Sequence, residues 1–329
     1  MTGYGTCLAT KTAPVGPLWA QPGMTPAARA RSSTRAVFEL HRSPRTNLGS
    51  LPTPIWLPTS RRVNNTTMDE QEQWRLFYEV FDPSFPRLGP GDDASTLRAL
   101  NSLLVAGGRG TDRLQPKRMR VLDIGCGTGA QTLQLARHLD GTILAIDNHQ
   151  PYLDELESRA RDEGLAERIR PCLKDMHALS EEDGVFDLVW AEGSLFVMGF
   201  QAGLEACFAR LLPGGLAAVS ELAWLLPDPP AECAEFFAAE YPAMLDVAAN
   251  ERLIADCGFE LADEFVLPDS SWWDFYYRPL EARLARYRDK FATDPEKLEL
   301  LEWIQAEIDI RRKYTKYYGN VFFLLQRLG

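Results

Sequence analysis

The chain of 329 residues is poor in the side chains that hold metals or staple small folds. It has four histidines, at 41, 138, 149 and 177, and none falls in an HExxH pattern or beside a cysteine pair. Metal catalysis therefore has no support in the sequence. Its six cysteines (Cys7, Cys126, Cys172, Cys207, Cys233 and Cys257) are scattered without a CxxC pair. That argues against a disulfide framework and predicts a reducing, cytoplasmic setting. No run of about 20 apolar residues occurs, so no membrane span is expected. There is no internal repeat. Positive charge is also scarce: 35 Lys and Arg against 46 Asp and Glu, a net of −11. A general nucleic-acid binder needs a basic face, which excludes that class as the first choice.

What is present divides in two. Residues 1–67 hold eight basic side chains against one acid, Glu39, with eight of the 22 prolines, a net of +7. The 262 residues from Met68 then carry −18. Arg-rich, Ser-rich and acid-poor composition is that of a transit peptide. The simpler expectation is that 1–67 is a disordered basic leader, or that translation starts at Met68, where the composition changes at once. Residues 68–118 are expected to form a helical lid, from apolar residues at helical spacing over 70–82 and a capped helix over 94–106.

From 119 onward short apolar strands alternate with helices. Strands are predicted at 119–124, 142–146, 168–173, 185–190, 215–221, 260–267 and 320–326. Helices are predicted at 130–139, 151–163 and 201–211, and over 231–256 with a break near Pro242. This is an α/β pattern: a Rossmann-like, seven-stranded, mostly parallel sheet with helices on both faces. A helical insertion over about 268–317 precedes the last strand. It contains Trp272-Trp273-Asp274-Phe275-Tyr276-Tyr277, a plausible cover for a binding site.

The most informative stretch is Val121-Leu-Asp-Ile-Gly-Cys-Gly-Thr-Gly129. A strand runs into glycines at 125, 127 and 129, and a helix opens behind them. Glycine there permits positive φ and close approach of a ligand to the backbone. The helix N-terminus offers free N–H groups. Asp147, ending the second strand, is placed to accept bonds from two ribose hydroxyls. Gly125-x-Gly127-x-x-Ala130 also satisfies the dinucleotide pattern, which keeps an NAD(P)-dependent oxidoreductase as an alternative. Asp123 opposes it, because a negative charge two residues before the first glycine suits a cationic ligand better than a pyrophosphate.

The run VLDIGCGTG resembles motif I of the class I S-adenosylmethionine-dependent methyltransferases. Asp147 resembles that family's ribose-binding acid, Lys174-Asp175-Met176 its adenine-contacting segment, Phe186–Val189 its fourth strand, and Leu211-Leu-Pro-Gly-Gly215 its turn before the fifth. The resemblance spans about 119–329. Residues 74–105 and the C-terminal YYGNVFFLLQ are similar to a bacterial small-molecule branch. The resemblance implies S-adenosyl-L-methionine as cofactor, lined by Gly125, Cys126 (through its backbone N–H), Gly127 and Gly129. Asp123 would favour its amino group, Asp147 would hold the ribose, Asp175 and Met176 the adenine, and Asn148 would be a further cofactor contact.

Methyl transfer from a sulfonium is an in-line displacement that depends on positioning and exclusion of water. A base is needed only if the acceptor must lose a proton. Glu192, just past the fourth strand, is the favoured candidate, with Ser194 and Glu221 behind it. Tyr276 and Tyr277 are expected to contact the acceptor. His149 reads as a loop histidine near the adenosine, and Arg87 as a surface arginine. The expected function is methylation of O or N on a small molecule by a monomer or homodimer, without nucleic acid or membrane. A non-catalytic cofactor-binding protein on the same fold remains the other class.

Overall fold

A computed structural model describes residues 70–108 and 118–329. The leader expected over 1–67 lies outside the described residues. The central sheet has β1 (Met119–Ile124), β2 (Gly141–Asp147), β3 (Ile169–Leu173), β4 (Phe186–Glu192), β5 (Leu211–Trp224), β6 (Leu245–Asp246), β7 (Phe259–Val266) and β8 (Tyr318–Arg327). Its order is β3-β2-β1-β4-β5-β8-β7, with β6 paired to the end of β5. The strands through β5 are parallel, and β8 runs antiparallel to both β5 and β7. Seven strands were expected, and seven lie on the main path. The eighth, β6, is a two-residue strand in what was read as a helix break near Pro242.

Burial explains the order. β1 and β4 are apolar on both faces, as central strands covered by helices must be. One face packs under α2 (Asp93–Ala106), α3 (Ala130–His138) and α4 (Gln150–Asp162), through Leu100, Leu103, Leu133, Leu153 and Leu156. The other packs under α5 (Phe200–Arg210) and α7 (Val247–Asp256), through Leu204, Cys207 and Ile254. The helix expected over 94–106 is therefore a layer of the sheet and not part of a lid. Its buried residues Ala99, Leu100 and Leu103 are those that helical spacing directs inward, and the inward neighbours are β5 and β8. Among the described residues of 68–118, α1 (Glu70–Val80) and the loop after it are what remains of the segment expected as a lid.

A second, aromatic core sits over the carboxyl ends of the strands. It joins α1, α6 (Ala231–Glu240), α8 (Asp269–Trp272), α9 (Arg278–Lys290) and α10 (Pro295–Tyr314). The inserted helices fall where the sequence placed them, over 268–317. Between α8 and α9 the helix takes a π turn at Trp273–Tyr277. Such turns add a residue within a helix and gather at functional sites. Here the turn leaves both Tyr276 and Tyr277 buried although they are adjacent in sequence.

Candidate active site

The glycine turn is tied to the second strand. Gly125 N–H and Cys126 N–H both donate to the Ile146 carbonyl at 2.9 Å, and Gly127 N–H donates to Asp147 Oδ2 at 3.0 Å. Gly125 has φ +70°, and a Cβ there would stand 2.6 Å from the Cβ of Ser194. Gly129, at φ +83°, caps α3 and would meet Leu156 Cδ1 at 2.1 Å. Both positions exclude a side chain by backbone conformation and by space.

The turn opens into one continuous cavity at the carboxyl ends of the strands. Gly125, Cys126 and Gly127 line it, as do Asp147, Asn148, Asp175 and Met176. Seven of the nine residues expected at a cofactor thus line one wall, and Gly129 is the cap just behind it. Asp147 is half-buried; its Oδ1 accepts the His149 N–H at 2.9 Å, and burial pushes its pKa up to about 6 against the pull of these backbone donors. Asp175 accepts the His177 N–H at 2.9 Å and caps a short helical turn, while its residue still faces the cavity.

Asp123 is the exception. It is fully buried behind the turn and is absent from the cavity wall. Its carboxylate accepts Thr132 Oγ1–H at 2.5 Å and Gln131 Nε2–H at 3.3 Å. Burial raises its pKa to about 7, opposed by those two bonds and reinforced by Glu192 and Asp147. Its direct reach is to the first turn of α3, and Gln131, which does line the cavity, stands between it and any ligand. The sequence-level objection to a dinucleotide, built on a charge at Asp123, is weakened accordingly. The sheet supplies a better one. A dinucleotide fold continues 3-2-1-4-5-6 in parallel strands, whereas here an antiparallel β8 is inserted beside β5.

Glu192 lines the cavity but is bound on all sides. Its Oε1 accepts Thr96 Oγ1–H at 2.7 Å and Trp190 Nε1–H at 2.9 Å, and its Oε2 faces Arg87 at 3.3 Å. Arg87 also reaches Asp93 at 2.7 Å and is 7% exposed, so the expectation of a surface arginine is corrected. Burial raises the Glu192 pKa, with Arg87 pulling it down. Two neutral donors and the Arg87 guanidinium make this carboxylate a clamp between the loop after α1, α2 and β4. Ser194 donates to the Ile124 carbonyl at 2.6 Å and braces the glycine turn. Glu221 lies off the cavity wall and takes the Tyr241 hydroxyl at 2.7 Å, with burial raising its pKa to about 8.

The far half of the cavity is aromatic. Trp74, Phe77, Tyr78 and Phe81 come from the lid, Tyr276 and Tyr277 from the π turn, and Trp303, Glu307 and Tyr318 from α10 and β8. The two tyrosines expected at the acceptor thus line this half of the cavity. Tyr277 donates its hydroxyl to Glu307 Oε1 at 2.7 Å. His149 stacks on Tyr78 at 3.7 Å with an interplanar angle of 1°, and burial lowers its pKa to about 4. This stack fastens α1 to the loop after β2, so the histidine stays neutral and serves packing. Sequence reasoning missed Glu307. The signal was an acid on the apolar face of α10, three residues from Ile304 and beside Ile308.

Residues 121–215 match the family model described as a methyltransferase domain. Methyltransferase GfsG of Streptomyces halstedii is 32% identical over 130 residues, 38% of this chain and 47% of that protein. Sterol 24-C-methyltransferase erg6 of Aspergillus fumigatus is 28% identical over 111 residues, 33% of this chain and 29% of that one. The chain thus spans less than half the length of these curated relatives. A SAM-dependent methyltransferase from Geobacter sulfurreducens, solved in complex with S-adenosyl-L-homocysteine, superposes with a TM-score of 0.63 at 21% identity, covering 76% of this chain and 97% of that one. Residues 121–215 thus resemble a methyltransferase domain, and the chain shares the fold of that solved S-adenosylmethionine-dependent methyltransferase.

Proposed function

We propose that the protein is an S-adenosylmethionine-dependent methyltransferase whose acceptor is a small molecule methylated on O or N. The observation that carries the reading is the carboxylate of Asp147 at the end of β2, tied to the Gly127 N–H and standing on the same cavity wall as Asp175. The donor set fits the cofactor. Asp147 keeps lone pairs free for two ribose hydroxyls, with Asn148 beside it. Asp175 and Met176 offer a hydrogen-bond acceptor and an apolar face for an adenine. The glycines leave the backbone bare for a methionine moiety.

When bound, the cofactor supplies an activated methyl group on a sulfonium sulfur. The residues of this chain contribute position and dryness. The lid residues Trp74, Phe77, Tyr78 and Phe81 close over the cavity, and the Arg87–Glu192 pair holds the lid loop to the strand ends. Tyr276 and Tyr277 shape the acceptor half. The aromatic lining of the cavity and the net charge of −18 beyond residue 67 both favour a small molecule over nucleic acid. Excluding water and fixing an acceptor in line accounts for much of the rate of such a transfer. The test is transfer of a radiolabelled methyl group from S-adenosylmethionine to a panel of small amines, alcohols, phenols and carboxylates. Labelling of at least one class is expected. Tight cofactor binding with no labelling of any would assign a non-catalytic role.

A further inference from the structure

The acceptor half of the cavity holds one ionisable group that the proposed function leaves without a task. Glu307 on α10 is 8% exposed and lines the cavity. Its Oε1 takes the Tyr277 hydroxyl, and among the described residues no lysine or arginine forms an ion pair with it. Arg311, one turn further along α10, is committed elsewhere: it donates to the Tyr318 carbonyl at 2.6 Å and to Asp269 at 3.0 Å, and lies over the Trp272 ring at 4.0 Å. Glu240 of α6, which takes the Trp303 Nε1–H at 3.1 Å, adds a second negative charge. Tyr276, Tyr277 and Tyr318 are the other titratable neighbours, and all are neutral phenols held up by burial. Around this carboxyl the wall is aromatic: Trp272 lies 5.8 Å from Tyr277 and 6.1 Å from Tyr318, ring centre to ring centre, and Tyr276 lies 5.0 Å from Tyr277.

We propose that Glu307 is the anchor for a protonated amine on the acceptor, so that the substrate class is an apolar molecule bearing an ammonium group. This rests on the methyltransferase reading for the word acceptor, but the ligand chemistry follows from the chamber itself. A buried carboxyl with a single neutral donor and a bare second oxygen is complemented by a cation. Aromatic faces around it attract the same cation. An anionic ligand would meet Glu307 and Glu240. A neutral ligand would leave the carboxyl as the uncharged acid and gain no charge-assisted contact from it. A second polar valence is open nearby: Trp272, 3% exposed, has its Nε1–H without a partner, as does Trp74 on the lid side of the same cavity. Burial, partly opposed by the Tyr277 bond, pushes the Glu307 pKa up to about 8, so the empty chamber favours the neutral acid and an arriving ammonium favours the carboxylate.

The experiment compares three probes of one shape: 4-phenylbutylamine, 4-phenylbutanol and 4-phenylbutyrate. Each is titrated calorimetrically into the full chain at pH 8, with and without S-adenosylhomocysteine. The amine is expected to bind at least about tenfold tighter than the alcohol, as a charge-assisted contact implies, with the acid weakest. In Glu307→Gln the amine should lose that margin over the alcohol, while affinity for S-adenosylhomocysteine and the melting temperature stay near wild type. Equal binding of the three, preference for alcohol or acid, binding of none, or an amine preference that survives Glu307→Gln would each overturn the assignment. The wild-type comparison needs no variant to fold. Failure of S-adenosylhomocysteine to bind, with the amine preference intact, would refute the cofactor reading and leave the chamber's chemistry standing.

Discussion

Asp147→Ala removes from the end of β2 a carboxylate that accepts the Gly127 and His149 N–H groups at 3.0 and 2.9 Å. Two hydrogen bonds from ribose hydroxyls to a charged acceptor contribute about 1.5–3 kcal/mol each, so the variant should lose about 3–6 kcal/mol of binding. That is a fall of about 10²- to 10⁴-fold in affinity. The fold should survive. Gly125 and Cys126 keep their bonds to the Ile146 carbonyl, and the desolvation that raises Asp147 to about 6 disappears with the charge. Asp147→Asn, which keeps one acceptor oxygen and the side-chain volume, should fall between wild type and alanine. Calorimetric titration with S-adenosylhomocysteine gives the affinities, and a thermal melt followed by circular dichroism reports the fold. An alanine variant that binds within threefold of wild type while melting normally would refute the ribose role, and with it the reading of the whole wall.

Cofactor affinity should also depend on pH through the same group. Asp147 must be ionised to accept both hydroxyls, so binding of S-adenosylhomocysteine should weaken as pH falls through about 6, and Asp147→Asn should flatten that profile. Arg87→Ala strands Glu192 in a buried site, and losing one member of a buried pair should destabilise by about 3–5 kcal/mol in urea unfolding. Arg87→Ala combined with Glu192→Gln should recover part of that loss; no recovery would mean that the pair is not what holds the lid loop. Gly129→Ala places a Cβ 2.1 Å from Leu156 Cδ1 at φ +83°, and should cost about 2–4 kcal/mol from strain and overpacking together. Glu221 has a folded pKa of about 8, above its unfolded value, so the native state holds its proton longer. Its contribution to stability is present at low pH and is lost as pH rises from about 4.5 to 8, with a slope of up to about 1.4 kcal/mol per unit. Glu221→Gln should remove that slope; an unchanged stability–pH curve would contradict the burial assigned to it.

Much of the site was legible because it is local. A strand, three glycines and a helix within eleven residues encode their own geometry, and Asp147 follows at the end of the next strand. The parallel order of β1 to β5 came through for the same reason, since each short apolar run is flanked by its own helix. What the sequence hid depends on contacts between distant residues. Arg87 looks like a solvated arginine until Glu192, 105 positions away, is brought against it. The helix over 93–106 looks like a lid until β5 and β8 close beneath its apolar face. Asp123 looks like a ligand-facing acid because adjacent strand ends both carry acids. Side chains alternate along a strand and α3 begins immediately behind, and these two facts turn its carboxylate toward Thr132 and Gln131. Glu307 was hidden by its element: a lone acid in a charged helix is ordinary until the Tyr277 hydroxyl and an aromatic wall surround it.

The wall made by Gly125, Gly127, Asp147 and Asp175 is proposed to hold S-adenosylmethionine. Calorimetric titration of the same preparation with S-adenosylhomocysteine and with NAD tests it most directly. The account predicts saturable one-to-one binding of S-adenosylhomocysteine and no heat of binding from NAD. Binding of NAD alone would contradict it.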